Sequence, residues 1–161
     1  MSQLSAASGR WSWRGYSWGM RVIVGSDDAG VLADAVIAEL RDADHQVTVV
    51  GPIAGGREEW AAVGHDVGRA VASGQADIGV VLCWTGTGVA IAANKVPGVR
   101  AALCGDAETA RLARRYNHAN VLALSMRSTT AQIGREIVRA FVEAPWGEDD
   151  FDRRNVGELE R

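Results

Sequence analysis

The sequence predicts an α/β fold in three layers: a five-stranded parallel sheet with helices on both faces. Three observations carry this. Short runs such as Arg21-Val22-Ile23-Val24 and Ile78-Gly79-Val80-Val81-Leu82 are apolar at consecutive positions, the pattern of strands buried on both sides. Helix-forming segments separate them, and strands alternating with helices make a parallel sheet. Polar clusters follow several strands, which is where such sheets hold their ligands.

The elements follow in order. Residues 1–19 stand apart: they hold Trp11, Trp13, Trp18, Arg10 and Arg14, no acid, and no helical or strand period. Without an apolar central run they are not a secretory signal. They are expected to be a disordered leader, with Met20 a natural second start. The competing reading is an aromatic arm that packs on a partner subunit. The domain is expected over 20–146. Arg21 to Val24 is its first strand and Gly25-Ser26-Asp27-Asp28-Ala29-Gly30 a turn. Val31 to Arg41 is a helix with Leu32, Val36 and Leu40 on one stripe. Strands are expected at 46–50, 77–82, 99–103 and 120–124. Helices are expected at 58–73, after Gly88, at 107–115 and at 129–142, the last with Ile133, Ile137 and Phe141 in register. The charged tail, 147–161, is expected to be an arm contacting the partner subunit, with a short helix from Asn155.

The stretch Val80 to Lys95, VVLCWTGTGVAIAANK, organises the rest. A buried strand breaks at Cys83-Trp84-Thr85-Gly86-Thr87-Gly88 and resumes as an alanine-rich helix. Unpaired amides and the helix dipole then meet at the carboxyl edge of the sheet, which suits an anion. Ser26-Asp27-Asp28, Cys83 to Gly88, and Asn117 with Arg127 are expected to converge there. The turn is not a P-loop, since no Gly-Lys-Ser/Thr follows. It is not a dinucleotide fingerprint, since it lacks the third glycine and follows the third strand rather than the first.

Composition narrows the classes. A net charge of −3 and a pI near 5.6 suggest neither nucleic-acid nor membrane partners. Cys83 and Cys104 lack metal-ligand spacing and each ends a strand, so both are expected as free thiols in a reducing cytoplasm. His45, His65 and His118 are scattered. No metal or other cofactor is implied. Cys104 reads as core.

From Met20 to about Val142 the sequence resembles the type B ribose-5-phosphate isomerases and their galactose-6-phosphate isomerase relatives. The matching pieces are GSDDAG, CWTGTGVAIAANK, GVRAALC and ARRYNHANVLALSMR. The resemblance implies a Rossmann-like sheet, a homodimer or dimer of dimers with each site built from two subunits, and cofactor-independent interconversion of aldose and ketose phosphates through a cis-enediolate. It places Cys83 as the base at carbon 2 and Thr85 as the neighbouring hydroxyl. The amides around Gly86, Thr87 and Gly88 would hold the enediolate oxygen with Asn117. Asp27 would hold or open the sugar ring, and Arg127 and Arg154 would bind phosphate.

The chain departs from that pattern at four places. Asp27-Asp28 stands where the family usually has Asp-His. Tyr116 replaces the His before Asn117, and a phenol is a poor proton shuttle at neutral pH; whether Tyr116 or His118 takes over ring opening is open. Trp84 stands between Cys83 and Thr85, where the family has a small residue, and either narrows the pocket or packs at the subunit seam. In the tail only Arg154 is matched. The expected function is therefore an isomerase with a weakened phosphate site, acting on a sugar or sugar phosphate. The alternatives are a catalytically silent sugar-binding or partner subunit, or an epimerase using the same enediolate.

Overall fold

The computed structural model describes residues 19–56 and 59–161. In chain order the elements are β1 (Arg21–Ser26), α1 (Val31–Asp42), β2 (Gln46–Val50), α2 (Trp60–Ala72), β3 (Ile78–Cys83), α3 (Thr87–Asn94), β4 (Ala101–Leu103), α4 (Ala107–Asn117), β5 (Val121–Ser125), α5 (Ala131–Glu143) and α6 (Asp150–Leu159). The five strands form one parallel sheet in the order β2-β1-β3-β5-β4. The expectations for the leader fall on residues outside the described ones, save Gly19.

Side chains alternate across the pleat, so each central strand feeds two cores. Val22, Val24, Val80, Leu82, Leu122 and Leu124 face α1, α4 and α5, packing with Leu32, Val36, Leu40, Ile137 and Phe141. Ile23, Val81, Val121 and Ala123 face α2 and α3, meeting Val63, Val67 and Val89. This double burial explains the unbroken apolar runs in the sequence.

The structure corrects two boundaries and one buried position. β4 has only three residues, because the Pro97-Gly98 turn delays it; the Asn94 side chain then pairs with Ala101, donating to its carbonyl (2.9 Å) and accepting from its amide (2.7 Å). These bonds satisfy backbone groups of an edge strand, which would otherwise invite another chain. In α5, Ile133 lies exposed, and Gly134 takes the buried place against Leu32 that lets α5 approach α1. In the tail the helix begins at Asp150, because the Asp149 carboxylate accepts from the amides of Phe151 (2.8 Å) and Asp152 (3.4 Å).

One contact sets the position of α3. Gly64 of α2 meets α3 so closely that a Cβ there would lie 2.6 Å from Ala92 Cβ and 2.8 Å from the Val89 carbonyl oxygen. Gly64→Ala, which in an exposed helix interior would stabilise, is expected here to destabilise by about 1–3 kcal/mol. Urea denaturation with an unchanged m-value is the check; a neutral or stabilising result would show that the two helices separate freely.

Candidate functional site

The three central strands end side by side. Ser26 pairs with Leu82, and Cys83 pairs with Ser125. Asp27 therefore comes level with Cys83, and its amide donates to the Leu82 carbonyl at 3.3 Å. The sheet order makes the β1–β3 boundary the place where strand order reverses, which is where open parallel sheets leave a crevice.

The turn after β3 is held by the end of β5. The Cys83 carbonyl accepts from the Met126 amide (3.0 Å). The Trp84 carbonyl accepts from the Arg127 amide (2.8 Å) and the Ser125 hydroxyl (3.0 Å). Gly86 then takes φ +75°, and a Cβ would stand 2.5 Å from Leu103 Cδ1 and 2.9 Å from the Leu124 carbonyl group. Both the conformation and the space demand glycine. Gly86 starts α3 with no side-chain cap, so the amides of the first turn stay available to a ligand. The Thr85 and Thr87 hydroxyls lie 2.7 Å apart in the same turn, and Cys83, the last residue of β3, is buried at 5 % exposure in the core cluster that includes Val63 and Val89.

The first turn supplies carboxyls. Ser26 Oγ donates to the Asp28 carbonyl (2.6 Å), and the Ala29 amide donates to Asp28 Oδ1 (2.8 Å), so the turn braces itself. Asp27 Oδ1 is buried with no hydrogen-bond partner among the described residues. Burial holds the Asp27 carboxyl above its ordinary range, and the charge of Asp28 adds to this. A raised pKa means the folded chain binds the proton more tightly than the unfolded chain. Stability therefore falls as pH rises from the ordinary carboxyl value through the raised one. Asp27→Asn is expected to raise the thermal midpoint at pH 7, with the gain vanishing at low pH where both side chains are neutral. A lower midpoint for Asp27→Asn at pH 7 would show instead that the carboxylate holds the turn together.

Cys83, Thr85, Gly86, Thr87, Gly88, Trp84, Asp27 and Asp28 thus share one edge with Arg127. Asn117 and Tyr116 do not, contrary to the expected convergence. α4 runs back against the strands, so its last residue, Asn117, lies at the amino edge, just before β5 begins. A six-residue strand such as β3 separates the two edges by roughly 17 Å. Arg154 is on α6, which packs against α4, and is also exposed. His118 ends α4 in the left-handed region (φ 48°), its ring stacked on Trp146 (5.1 Å between centroids) and its Nε2 3.0 Å from the Gly147 carbonyl oxygen. It is packing between α4 and the tail. Beside it the half-buried Arg114 guanidinium, which donates to the Ala119 carbonyl (2.6 Å), is pushed down to about 10 by its partial burial and by Arg100.

Cys104 is 1 % exposed, and burial, with Asp106 nearby, pushes its thiol up to about 11, so it is an inert core thiol. Trp60 was not singled out by the sequence: its indole lies on Gly88, where a Cβ would come within 2.9 Å of the ring. No local pattern marks that contact, because it joins the start of α2 to the start of α3. Ser125 and Met126 could have been found, since they lie at the carboxyl end of a strand that must neighbour β3. Among the described residues no three His, Cys, Asp or Glu side chains converge as a metal site, and no helix is long and apolar enough to cross a membrane.

Comparison with known proteins places this geometry. Residues 22–159 match the family model described as Ribose/Galactose Isomerase. The ribose-5-phosphate isomerase B of Mycolicibacterium paratuberculosis is 36 % identical over 139 residues, covering 85 % of this chain and 87 % of that protein. The galactose-6-phosphate isomerase subunit LacB of Clostridium acetobutylicum is 44 % identical over 90 residues, 56 % of this chain and 52 % of that one. The type B ribose 5-phosphate isomerase of Trypanosoma brucei superposes with a TM-score of 0.81 at 34 % identity, covering 88 % of this chain and 97 % of that one. By the match of residues 22–159 to that family model and by the likeness to these relatives in sequence and backbone, this chain belongs to the ribose/galactose isomerase family.

Proposed function

We propose that the protein is a cofactor-independent aldose–ketose isomerase acting on a sugar or sugar phosphate through a cis-enediolate. The observation that carries this is Cys83 at the end of β3, level with Asp27 and at the mouth of the uncapped α3. Moving a proton between adjacent carbons needs one base and a fixed set of donors for the oxygen that gains charge. Cys83 is the base; the Thr85 and Thr87 hydroxyls and the amides around Gly86, Thr87 and Gly88 are the donors. Each well-placed donor contributes about 3–4 kcal/mol to the transition state. Asp27, level with Cys83 and with an unpartnered carboxyl oxygen among the described residues, can hydrogen-bond to a substrate hydroxyl.

Asn117, Tyr116 and Arg154 lie at the far edge, so they serve a site only on a second copy of the chain. We therefore assign the working unit as a homodimer, or a dimer of dimers, in which one copy gives the Cys83 turn and the other the end of α4 and α6. Arg127 and the partner's Arg154 would hold a phosphate.

Asp28 weakens that phosphate site. It is an exposed carboxylate at the mouth of the crevice, and it repels a dianion. Asp28→Asn is expected to lower KM for phosphorylated sugars by about tenfold, with little change for free sugars, consistent with a like-charge penalty of about 1.4 kcal/mol. Equal effects on both substrate types would place Asp28 away from the phosphate.

The decisive experiment is proton NMR in heavy water with ribose 5-phosphate, ribose and a panel of hexoses and hexose phosphates. Loss of the carbon-2 proton with appearance of ketose is expected for one of them. Exchange at carbon 3 alone would make the protein an epimerase. No exchange across the panel, unchanged by Cys83→Ala, would favour a silent sugar-binding or partner subunit.

A further inference from the structure

The last turn of α4 ends in an uncommon conformation. His118, directly after Asn117, takes the left-handed region (φ 48°) without being glycine. Such a residue keeps that conformation only where its surroundings hold it. Three contacts do so here. Its ring stacks on Trp146, its Nε2 lies 3.0 Å from the Gly147 carbonyl oxygen, and its own carbonyl accepts from Arg100 Nε at 2.9 Å. A guanidinium at this place also meets the negative end of the α4 dipole.

Arg100 stands just before β4 and is itself fixed. Its amide donates to Asn120 Oδ1 (2.8 Å), and its carbonyl accepts from the Asn120 amide (3.1 Å), at the amino edge of the sheet. Its side chain is 14 % exposed and reaches in two directions. Nε holds the end of α4, while a terminal guanidinium nitrogen pairs with the Glu160 carboxylate just past α6. The same guanidinium lies over Trp146, 5.5 Å from the ring centroid, in the segment that joins α5 to α6. α6 buries none of its residues in this chain, and the ion pair ties its end to the body of the domain.

We propose, on the isomerase reading and its two-copy site, that Arg100 is a positioning residue for the crevice across the subunit seam. One guanidinium sets both the end of α4 and the end of α6, so Asn117 and Arg154 meet a second copy's crevice in a fixed relation. Arg100 lies at the opposite edge of the sheet from the Cys83 turn of its own chain, so it acts through these two residues and not on the substrate. A misplacement of about 1 Å can cost about 10²-fold in rate, and Arg100→Gln is expected to lower kcat/KM by that order.

The test mixes full-length variants, unfolding and refolding them together. Arg100→Gln with Cys83→Ala is expected to recover about a quarter of the wild-type rate, because about half of the dimers then hold one intact site. Arg100→Gln with Asn117→Ala is expected to recover nothing, since both changes fall on the same side of the seam. Glu160→Ala is the milder variant, at an exposed position that leaves the core whole. It is expected to lose about tenfold in kcat/KM, with the same mixing pattern. Amide exchange over 150–159 is expected to rise about tenfold in both variants, which reads the hold on α6 without any substrate. Cys83→Ala with Asn117→Ala is the control. No recovery there, or an inactive wild-type chain, would defeat the isomerase site itself, with exchange over 150–159 still deciding the tie to α6. With the control intact, full activity in Arg100→Gln or in Glu160→Ala would overturn the proposal. So would recovery with Asn117→Ala in place of Cys83→Ala, recovery with neither, or unchanged exchange over 150–159.

Discussion

Cys83→Ala is expected to lower kcat by about 10²–10⁴-fold, the range for loss of a positioned general base, with KM little changed. Cys83 is buried and adds little to the rim that a substrate would touch. Truncating it therefore removes the proton acceptor and leaves the donors in place. The readout is carbon-2 proton exchange in heavy water, measured beside Cys104→Ala. That second thiol is core, so its variant is expected to keep its rate. A Cys83→Ala enzyme with near-normal exchange would move the base to another group, such as the Asp27 carboxyl level with it. A large loss in Cys104→Ala without loss of stability would contradict its assignment as packing.

The second large effect is a gain of activity on mixing. Asn117→Ala is expected to be nearly as impaired as Cys83→Ala, since Asn117 is assigned to the enediolate oxygen. When the two inactive variants are unfolded together and refolded, half the dimers pair one of each. In such a dimer one site has both Cys83 and Asn117, and the other has neither. With two-fold symmetry, recovery of about a quarter of the wild-type rate is expected. The wild-type chain alone can never show this. Recovery near zero, with mixed dimers shown by mass, would mean that Asn117 serves no site across the interface. A monomeric wild-type chain that is fully active would remove the two-copy site altogether.

These two experiments bear on how much of the protein was legible beforehand. The alternation of elements was clear because each strand here is buried on both faces, so its run of Val, Ile and Leu has no polar break. The Cys83 turn was equally clear. A thiol, hydroxyls and glycines between a strand and a helix leave few structural options. Gly86 in particular is required by a positive φ and by the Leu124 backbone that presses on it. The misplaced residues share one feature, which is that their position depends on which way a helix runs. Asn117 stands close in sequence to β5 and to Arg127, which suggested a shared edge. α4 in fact ends at the opposite edge, where β5 begins. Ile133 failed for a similar reason: helical spacing put it in line with Ile137 and Phe141, but the approach of α5 to α1 is set by Gly134 against Leu32.

The sequence by itself determined the α/β class, the parallel sheet, the glycine turn between β3 and α3 and the family to which the chain belongs. These rest on local chemistry: periodicity, strand burial and the needs of a strand–turn–helix junction. Tertiary structure alone decided that Asp27 sits level with Cys83, that Trp60 covers Gly88, that His118 is stacked away on Trp146, and that Asn117 and Arg154 lie beyond reach of their own crevice. Those facts depend on strand order and on close helix approach, which join residues tens of positions apart. The rules of strand order and helix packing act on the whole chain at once, and no single stretch of sequence records their outcome.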